Sequence, residues 1–336
     1  MRAVFEIEQV GPFVSIQDAG RNGYARYGVT KSGPMDRLGH SLTNYALGKH
    51  DSSSAIEVSL GGLTLKCIEG EITAATGGGY FSINLDGSVL APWSIFTLQE
   101  GSVLKIRSGE WGSWCYLSFL GDIQAIKWLG SWSVHQGSGL CGLPYKQGDK
   151  IIVENGKSNA DTSGSFFDPK TLKPSPEVRI VQGPQDSYFE DISISKLYLT
   201  EFKLTSEYDR MGVRLNGEKL KVNRALDMPS EPVARGSIQV PGHGDPICLL
   251  ADHQTTGGYP KIATIISADQ DAMAQKRVGD VVTFAKTNVD DAIAVARQKH
   301  LQIDVMKEEI ERNRASFIHK LWSSNLISGV ISTSQD

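Results

Sequence analysis

Leu63-Thr64-Leu65-Lys66-Cys67-Ile68, Glu71-Ile72-Thr73-Ala74-Ala75, Ser82-Ile83-Asn84-Leu85, Ser94-Ile95-Phe96-Thr97-Leu98 and Val103-Leu104-Lys105-Ile106 follow one another between residues 63 and 106. Many of these runs alternate apolar with polar residues, the period of a half-buried strand, and turn residues separate them. Phe13–Ile16 and Cys115–Leu120 extend the pattern on either side. It fades between Gly156 and Pro176, where Lys, Ser, Asn, Asp, Thr and Pro accumulate, a stretch that reads as an interdomain connection or a long surface loop. Strands resume at Val178–Gln182, Lys196–Thr205, Arg235–Val240, Ile247–Ala251, Lys261–Ile266 and Val281–Ala285. The chain is therefore expected to be mainly β, with two β-barrel-like domains at residues 1–165 and 176–287. The absence of a short tandem period argues against a solenoid or propeller.

A few helices interrupt the strands. Met35, Leu38, Leu42, Tyr45 and Ala46 recur at helical spacing over Met35–Leu47, with Pro34 expected in the first turn and Gly48 after the end. Ser267 and Gln270 have the spacing of a capping box for a short second helix. A long C-terminal helix is expected over residues 289–322, with Ile293, Ala296, Ile303, Met306, Ile310, Phe317 and Leu321 as its apolar stripe.

Composition limits the function. The 336 residues carry Lys+Arg 34 against Asp+Glu 38, a net charge of −4 with no basic block, so nucleic acid is not an expected partner. No apolar run approaches the ~18–20 residues of a membrane helix. Residues 1–10 lack the apolar core of a secretory signal, and Cys67, Cys115, Cys141 and Cys248 are scattered, which points to reduced thiols and a cytoplasmic protein. The seven histidines show no metal-ligand spacing, so no metal site is expected. Gly137-Ser138-Gly139-Leu140-Cys141-Gly142 fits G-x-G-x-x-G, but Pro144 and Gly148 leave no room for the helix a dinucleotide fingerprint requires.

Four segments place polar side chains among glycines directly after strands, where loops carry chemistry on a rigid scaffold. Gln17-Asp18-Ala19-Gly20-Arg21 is either an anion- or carboxamide-binding turn or a turn tied by an Asp18–Arg21 pair. Ser32-Gly33-Pro34-Met35-Asp36 offers free N–H groups at a helix start, or Asp36 simply caps that helix. Tyr208-Asp209-Arg210-Met211-Gly212-Val213-Arg214 sets two arginines around one carboxylate, as an anion grip or as a surface ion cluster. Gly236-Ser237-Ile238-Gln239-Val240-Pro241, followed by Leu249-Leu250-Ala251-Asp252-His253-Gln254-Thr255-Thr256-Gly257-Gly258-Tyr259-Pro260, is the densest: few strand ends need so many hydroxyls and amides together.

These segments, in this order, together with Ala274-Gln275 and Gly279-Asp280, resemble the biotin-dependent carboxyltransferase, or allophanate hydrolase subunit 2, family, over roughly Glu8 to Phe284. That family includes the C component of 5-oxoprolinase and a Kip-type antagonist of a kinase inhibitor. The resemblance implies two cyclophilin-like β-barrel domains and a partner of the 5-oxoprolinase B-component or allophanate hydrolase subunit 1 type. It implies an ATP-dependent amide-activating complex, with ATP at the level of the complex, biotin in some members, and a small amide, urea or lactam as substrate. On the 5-oxoprolinase reading, three components, A, B and C, together open 5-oxoproline to glutamate. The alternatives are a carboxyltransferase of urea or amide metabolism and a non-catalytic antagonist. Gly130-Ser131-Trp132-Ser133 stands where the family commonly has Gly-Ser-Arg-Ser, and Leu143-Pro144 where it has Gly-Arg, which removes two possible anion contacts.

The expected mechanism assigns Arg21, Arg210 and Arg214 to a carboxylate or phosphate, with Gln17 and Tyr259 also binding substrate. Gln239, Gln254, Thr256 and backbone amides near Gly257 meet the developing oxyanion. Asp18, Asp209 and Asp252 orient the cations or move a proton. All of this requires the four segments to converge on one cleft.

Overall fold

The computed structural model describes residues 1–223 and 228–314. Its first part contains β1 (Ala3–Val10), β2 (Ser15–Gln17), α1 (Arg37–Ala46), β3 (Ala55–Ser59), β4 (Leu63–Glu69), β5 (Ile72–Leu85), β6 (Ser88–Leu90), β7 (Ser94–Leu98), β8 (Val103–Phe119), β9 (Asp122–Ile123), β10 (Lys150–Glu154) and β11 (Gly164–Ser165). The second part contains β12 (Glu177–Gln182), α2 (Asp191–Leu199), β13 (Phe202–Tyr208), β14 (Gly212–Asn216), β15 (Glu231–Pro232), β16 (Ser237–Gln239), β17 (Ile247–Leu249), β18 (Thr256–Gly257), β19 (Lys261–Ile265), α3 (Gln270–Gln275), β20 (Val281–Thr287) and α4 (Val289–Arg314).

The protein is mainly β. Its first part is one 11-stranded sheet in the order β11-β7-β5-β8-β4-β1-β10-β9, with β2 and β3 branching from β8 and β6 pairing with β5. Its second part is a closed barrel, β12-β19-β16-β17-β14-β13-β20, sealed by the parallel pairing of β20 with β12. Closure removes the exposed edges that an open sheet would leave unpaired. One apolar core fills the first sheet around Phe5, Ile7, Leu65, Ile106 and Phe119. A second fills the barrel and also receives Met35, Trp114 and Tyr116 from the first part, so the two parts are packed together.

The sequence pattern divides β5 and β8 each into two strands, whereas both run through. The cause is visible at Gly77-Gly78-Gly79, where glycine signals close approach instead of a turn. A Cβ at Gly77 would lie 2.2 Å from Thr43 Oγ1 of α1, and one at Gly78, whose φ is +104°, would lie 2.7 Å from the Trp114 carbonyl. One at Gly79 would lie 2.9 Å from Gly112 Cα on β8. Here β5 crosses β8 beneath α1, and its register slips between Gly78 and Ser82.

The helices also depart from the pattern. Asp36 caps α1, its Oδ1 accepting from Gly39 N at 2.9 Å, but the helix begins at Arg37, so Pro34 lies before it and not in its first turn. The run read as one strand over Lys196–Thr205 divides at Leu199: α2 buries Ser193 and Leu197 one turn apart, and β13 begins at Phe202. The Ser267–Gln270 capping box does not form, because the Gln270 amide donates to the carbonyls of Arg235 and Ile265. In α4 the apolar stripe is only partly used: Ile310 is fully buried beside Leu42, Trp93 and Phe166, while Ile293 remains 45% exposed. Phe317 and Leu321 lie outside the described residues. The polar stretch after Gly156 is tied down by Phe166 and Phe167, which pack on Trp93 with ring centroids 5.7 and 5.3 Å away. Among the described residues no helix is long and apolar enough to cross a membrane.

Candidate functional site

The polar segments converge, but mainly on the backbone of residues 32–36. Arg21 Nη1 donates to Ser32 Oγ at 3.3 Å, and Arg210 Nη2 donates to the Gly33 carbonyl at 2.6 Å. Arg235 donates to the carbonyl of Pro34 at 2.9 Å and to that of Met35. The Met35 N–H donates to Glu57 Oε2 at 2.7 Å, and the Asp36 N–H to Tyr116 Oη, which in turn donates to Glu57 Oε2. Three arginines from distant segments thus fix four successive residues, Ser32 to Met35, and Tyr116 holds the fifth, Asp36. Backbone groups removed from water must find partners, and here side chains supply them.

This geometry corrects several expectations. Arg210 is 2% exposed and fully engaged: besides Gly33 it holds Asp252 through Nε at 2.9 Å and Nη2 at 3.0 Å, and Glu57 through Nη1. It is buried and spends four of its five N–H donors on the protein itself, and Asp252 is its counter-ion. Burial foremost pushes the Glu57 carboxyl up, against the pull of Arg210. Arg21, also 2% exposed, donates to the Ser133 carbonyl and to Cys141 Sγ at 3.2 Å. The Asp18–Arg21 pair does not form. Asp18 instead accepts from Ser131 Oγ, Ser133 Oγ, and the N–H groups of Trp132 and Gly20. Burial opposes ionisation of Asp18, yet those four bonds outweigh it and hold the carboxyl below its ordinary value. Trp132 therefore serves Asp18 through its backbone, while its ring lies under Lys127 Nζ at 4.0 Å. Gln17 is buried against Ser15 Oγ and the Val134 carbonyl. Thr256 is exposed on β18, which pairs with β15.

The remaining predicted residues do meet. Asp209, Arg214, Gln239, Gln254 and Tyr259 line one opening of about 500 Å³ at the mouth of the barrel, with Glu207 beside them. Gln254 Nε2 donates to Gln239 Oε1 at 3.3 Å, and Gln239 Nε2 to the Tyr259 carbonyl at 3.4 Å. Arg214 is paired on one side only: Nε lies 3.2 Å from Glu207 Oε2, and Nη1 lies 3.3 Å from His243 Nε2. Asp209 Oδ1 closes the turn by accepting from the Met211 and Gly212 N–H groups. A half-buried guanidinium, two carboxamides and a phenol, all on barrel strands or their ends, can bind a small molecule that carries both an anionic group and an amide.

Sequence reasoning missed a second cavity, of about 290 Å³, lined by Asp36, Trp111, Asp271, Gln275, Lys299 and Met306. Asp36 was readable as a helix cap, and it is one; its Oδ2 also accepts from Gln275 Nε2 at 2.7 Å. Asp271 is met by Arg37 Nε at 2.8 Å and Lys299 Nζ at 3.4 Å. No motif marks Asp271 or Lys299. Burial and the neighbouring Asp271 push the Asp36 carboxyl up from 3.8 to about 6, whereas for Asp271 burial is outweighed by Arg37, Lys299 and Arg235, which hold it down at about 2. The folded state thus keeps a proton on Asp36 that the unfolded chain releases above pH 3.8, so this group's contribution to stability is full below pH 3.8 and is lost as pH rises through 6. Thermal midpoints measured from pH 4 to 7 should fall less steeply for Asp36→Asn than for the wild type; parallel curves contradict the assignment.

A branched sheet joined to a closed barrel through a buried arginine hub, with a polar cavity at the barrel mouth, defines a two-part β protein. Residues 27–286 match the family described as carboxyltransferase domain, subdomains A and B, and the chain belongs to it. It is 32% identical over 314 residues to the C component of 5-oxoprolinase from Haemophilus influenzae, covering 92% of this chain and 99% of that one. The solved Kluyveromyces lactis urea carboxylase is similar at a TM-score of 0.80 and 26% identity, over 90% of this chain and 29% of that one. The solved protein TTHA0988 is similar at a TM-score of 0.76 and 28% identity over 84% of this chain, which spans about half (55%) of its length.

Proposed function

We propose that this chain is the C component of an ATP-dependent 5-oxoprolinase-like complex, a cytoplasmic hydrolase that opens 5-oxoproline to glutamate together with its A and B components. The extent of the match carries the reading: the alignment spans 99% of a 5-oxoprolinase C component, against 29% of a urea carboxylase. The barrel mouth supports it chemically. 5-Oxoproline carries one carboxylate and one lactam amide; Arg214 takes the carboxylate, and the Gln239 and Gln254 carboxamides read the lactam. As the carbonyl is attacked, negative charge grows on its oxygen, and the Gln254 amide is a donor available to meet it. Glu207 keeps Arg214 oriented, and Asp209 fixes the turn that precedes its strand. The loop 137–142 folds back through the His135–Leu140 pairing and opens no helix, so it does not fit a nucleotide phosphate in the dinucleotide manner. ATP is kept at the level of the complex.

A urea- or amide-directed carboxyltransferase is the second reading, favoured by the TM-score of 0.80 to urea carboxylase; biotin would then deliver the carboxyl group. Co-expression with the A and B components, followed by assay of ATP-dependent glutamate release from 5-oxoproline, separates the two. Release that requires this chain supports the first. Carboxylation of urea by a carboxybiotin carrier, with no lactam opening, overturns it.

A further inference from the structure

A third cavity, of about 260 Å³, lies where residues 110–112 of β8, the connection at 173–176 and the barrel segment 275–281 meet. It shares no lining residue with the barrel mouth. Three cations line it, Lys173, Lys276 and Arg277, against two carboxylates, Glu110 and Asp280. None of the three cations makes an ion pair among the described residues, and Asp280 is occupied by the Arg277 backbone N–H at 2.7 Å.

The two inner cations are unusual. Lys276 is 2% exposed, and among the described residues its ammonium donates to the Ser175 carbonyl alone. The Arg277 guanidinium spends Nε and Nη1 on the carbonyls of Gly112 and Gly109, and its Nη2 is buried with no partner. A cation withdrawn from water with no carboxylate in direct contact is costly, Asp280 offsets only part of that cost from a distance, and an unpaired buried donor adds to it. Burial accordingly pushes both groups below their ordinary basicity. Trp111 and Pro176 supply an apolar wall beside them.

We propose that this cavity is a binding site for a small oxyanion, a phosphate or carboxylate group, held by the Lys276 ammonium and the free Nη2 of Arg277. The site goes beyond the proposed function and does not depend on it. Because its walls come from both parts of the chain, an anion seated there ties the first sheet to the barrel.

The test uses the full chain with inorganic phosphate and with acetate, each compared with sodium chloride at matched ionic strength. Saturable heat by calorimetry and a rise in thermal midpoint are expected with one or both anions. Phosphate alone points to a phosphorylated ligand, acetate alone to a carboxylate, and both to the shared oxyanion chemistry. Arg277→Gln should weaken binding roughly tenfold or more, the factor expected for one charged hydrogen bond. Should that variant fail to fold, the wild type itself decides: the bound anion should slow acylation of Lys276 by an amine-reactive reagent, read by mass spectrometry, while surface lysines react unchanged. No saturable effect of either anion beyond chloride, or Lys276 labelling unaffected by them, overturns the proposal.

Discussion

Arg210→Ala is expected to destabilise the fold by about 3–5 kcal/mol, because it strands Glu57 and Asp252 as buried, unpaired carboxylates. Both are essentially inaccessible, at 0% and 2% exposure, and the same change removes the donor that holds the Gly33 carbonyl. Urea unfolding followed by circular dichroism measures the loss. The stranded charge, not the missing contact, sets the size of the effect. The combination Arg210→Met, Glu57→Gln and Asp252→Asn should therefore recover much of the stability that the single change loses. A single variant as stable as the wild type contradicts the hub.

The second large effect belongs to activity. Arg214→Ala in the reconstituted complex should lower kcat/KM for 5-oxoproline by about a hundredfold, the ~3 kcal/mol scale of a charge left without its partner in a binding site. Arg214 is half-buried at the barrel mouth and carries no part of the hub, so the variant should unfold at the wild-type urea midpoint. Arg214→Lys keeps the charge but not the forked donors, and should fall between the two. Unchanged turnover in Arg214→Ala, in a complex that still assembles, removes the barrel mouth from the reaction.

The pairing of these predictions shows where sequence reasoning reached and where it stopped. Residue type and spacing picked out Arg21, Arg210, Arg214 and Asp252 alike, because a carboxylate and a guanidinium near a glycine look the same whether they grip a ligand or a backbone carbonyl. Burial separates them: Arg210 faces Glu57, a residue 153 positions away that no local pattern could pair with it. Period-two alternation revealed the strands but divided β5 and β8, since the glycines that let β5 cross β8 beneath α1 read as turns. α2 was hidden for a related reason: Ile192, Ile194 and Tyr198 favour strands, and tertiary packing of Leu197 settles a helix there. The Asp36–Asp271–Lys299 cavity was illegible because its members come from α1, α3 and α4, which sequence places far apart.

The arginine hub, drawn from both halves of the chain, fixes the turn before α1 and joins sheet to barrel, while the proposed function gives the barrel mouth to the small molecule. A crystal structure of the assembled complex soaked with 5-oxoproline tests this division most directly. The ligand should lie at the barrel mouth with its carboxylate on Arg214 and its amide on Gln239 and Gln254, with the Arg210–Glu57–Asp252 contacts unchanged. A ligand bound instead at Arg210 or Arg21, with those contacts opened to admit it, would show that the hub is the site after all.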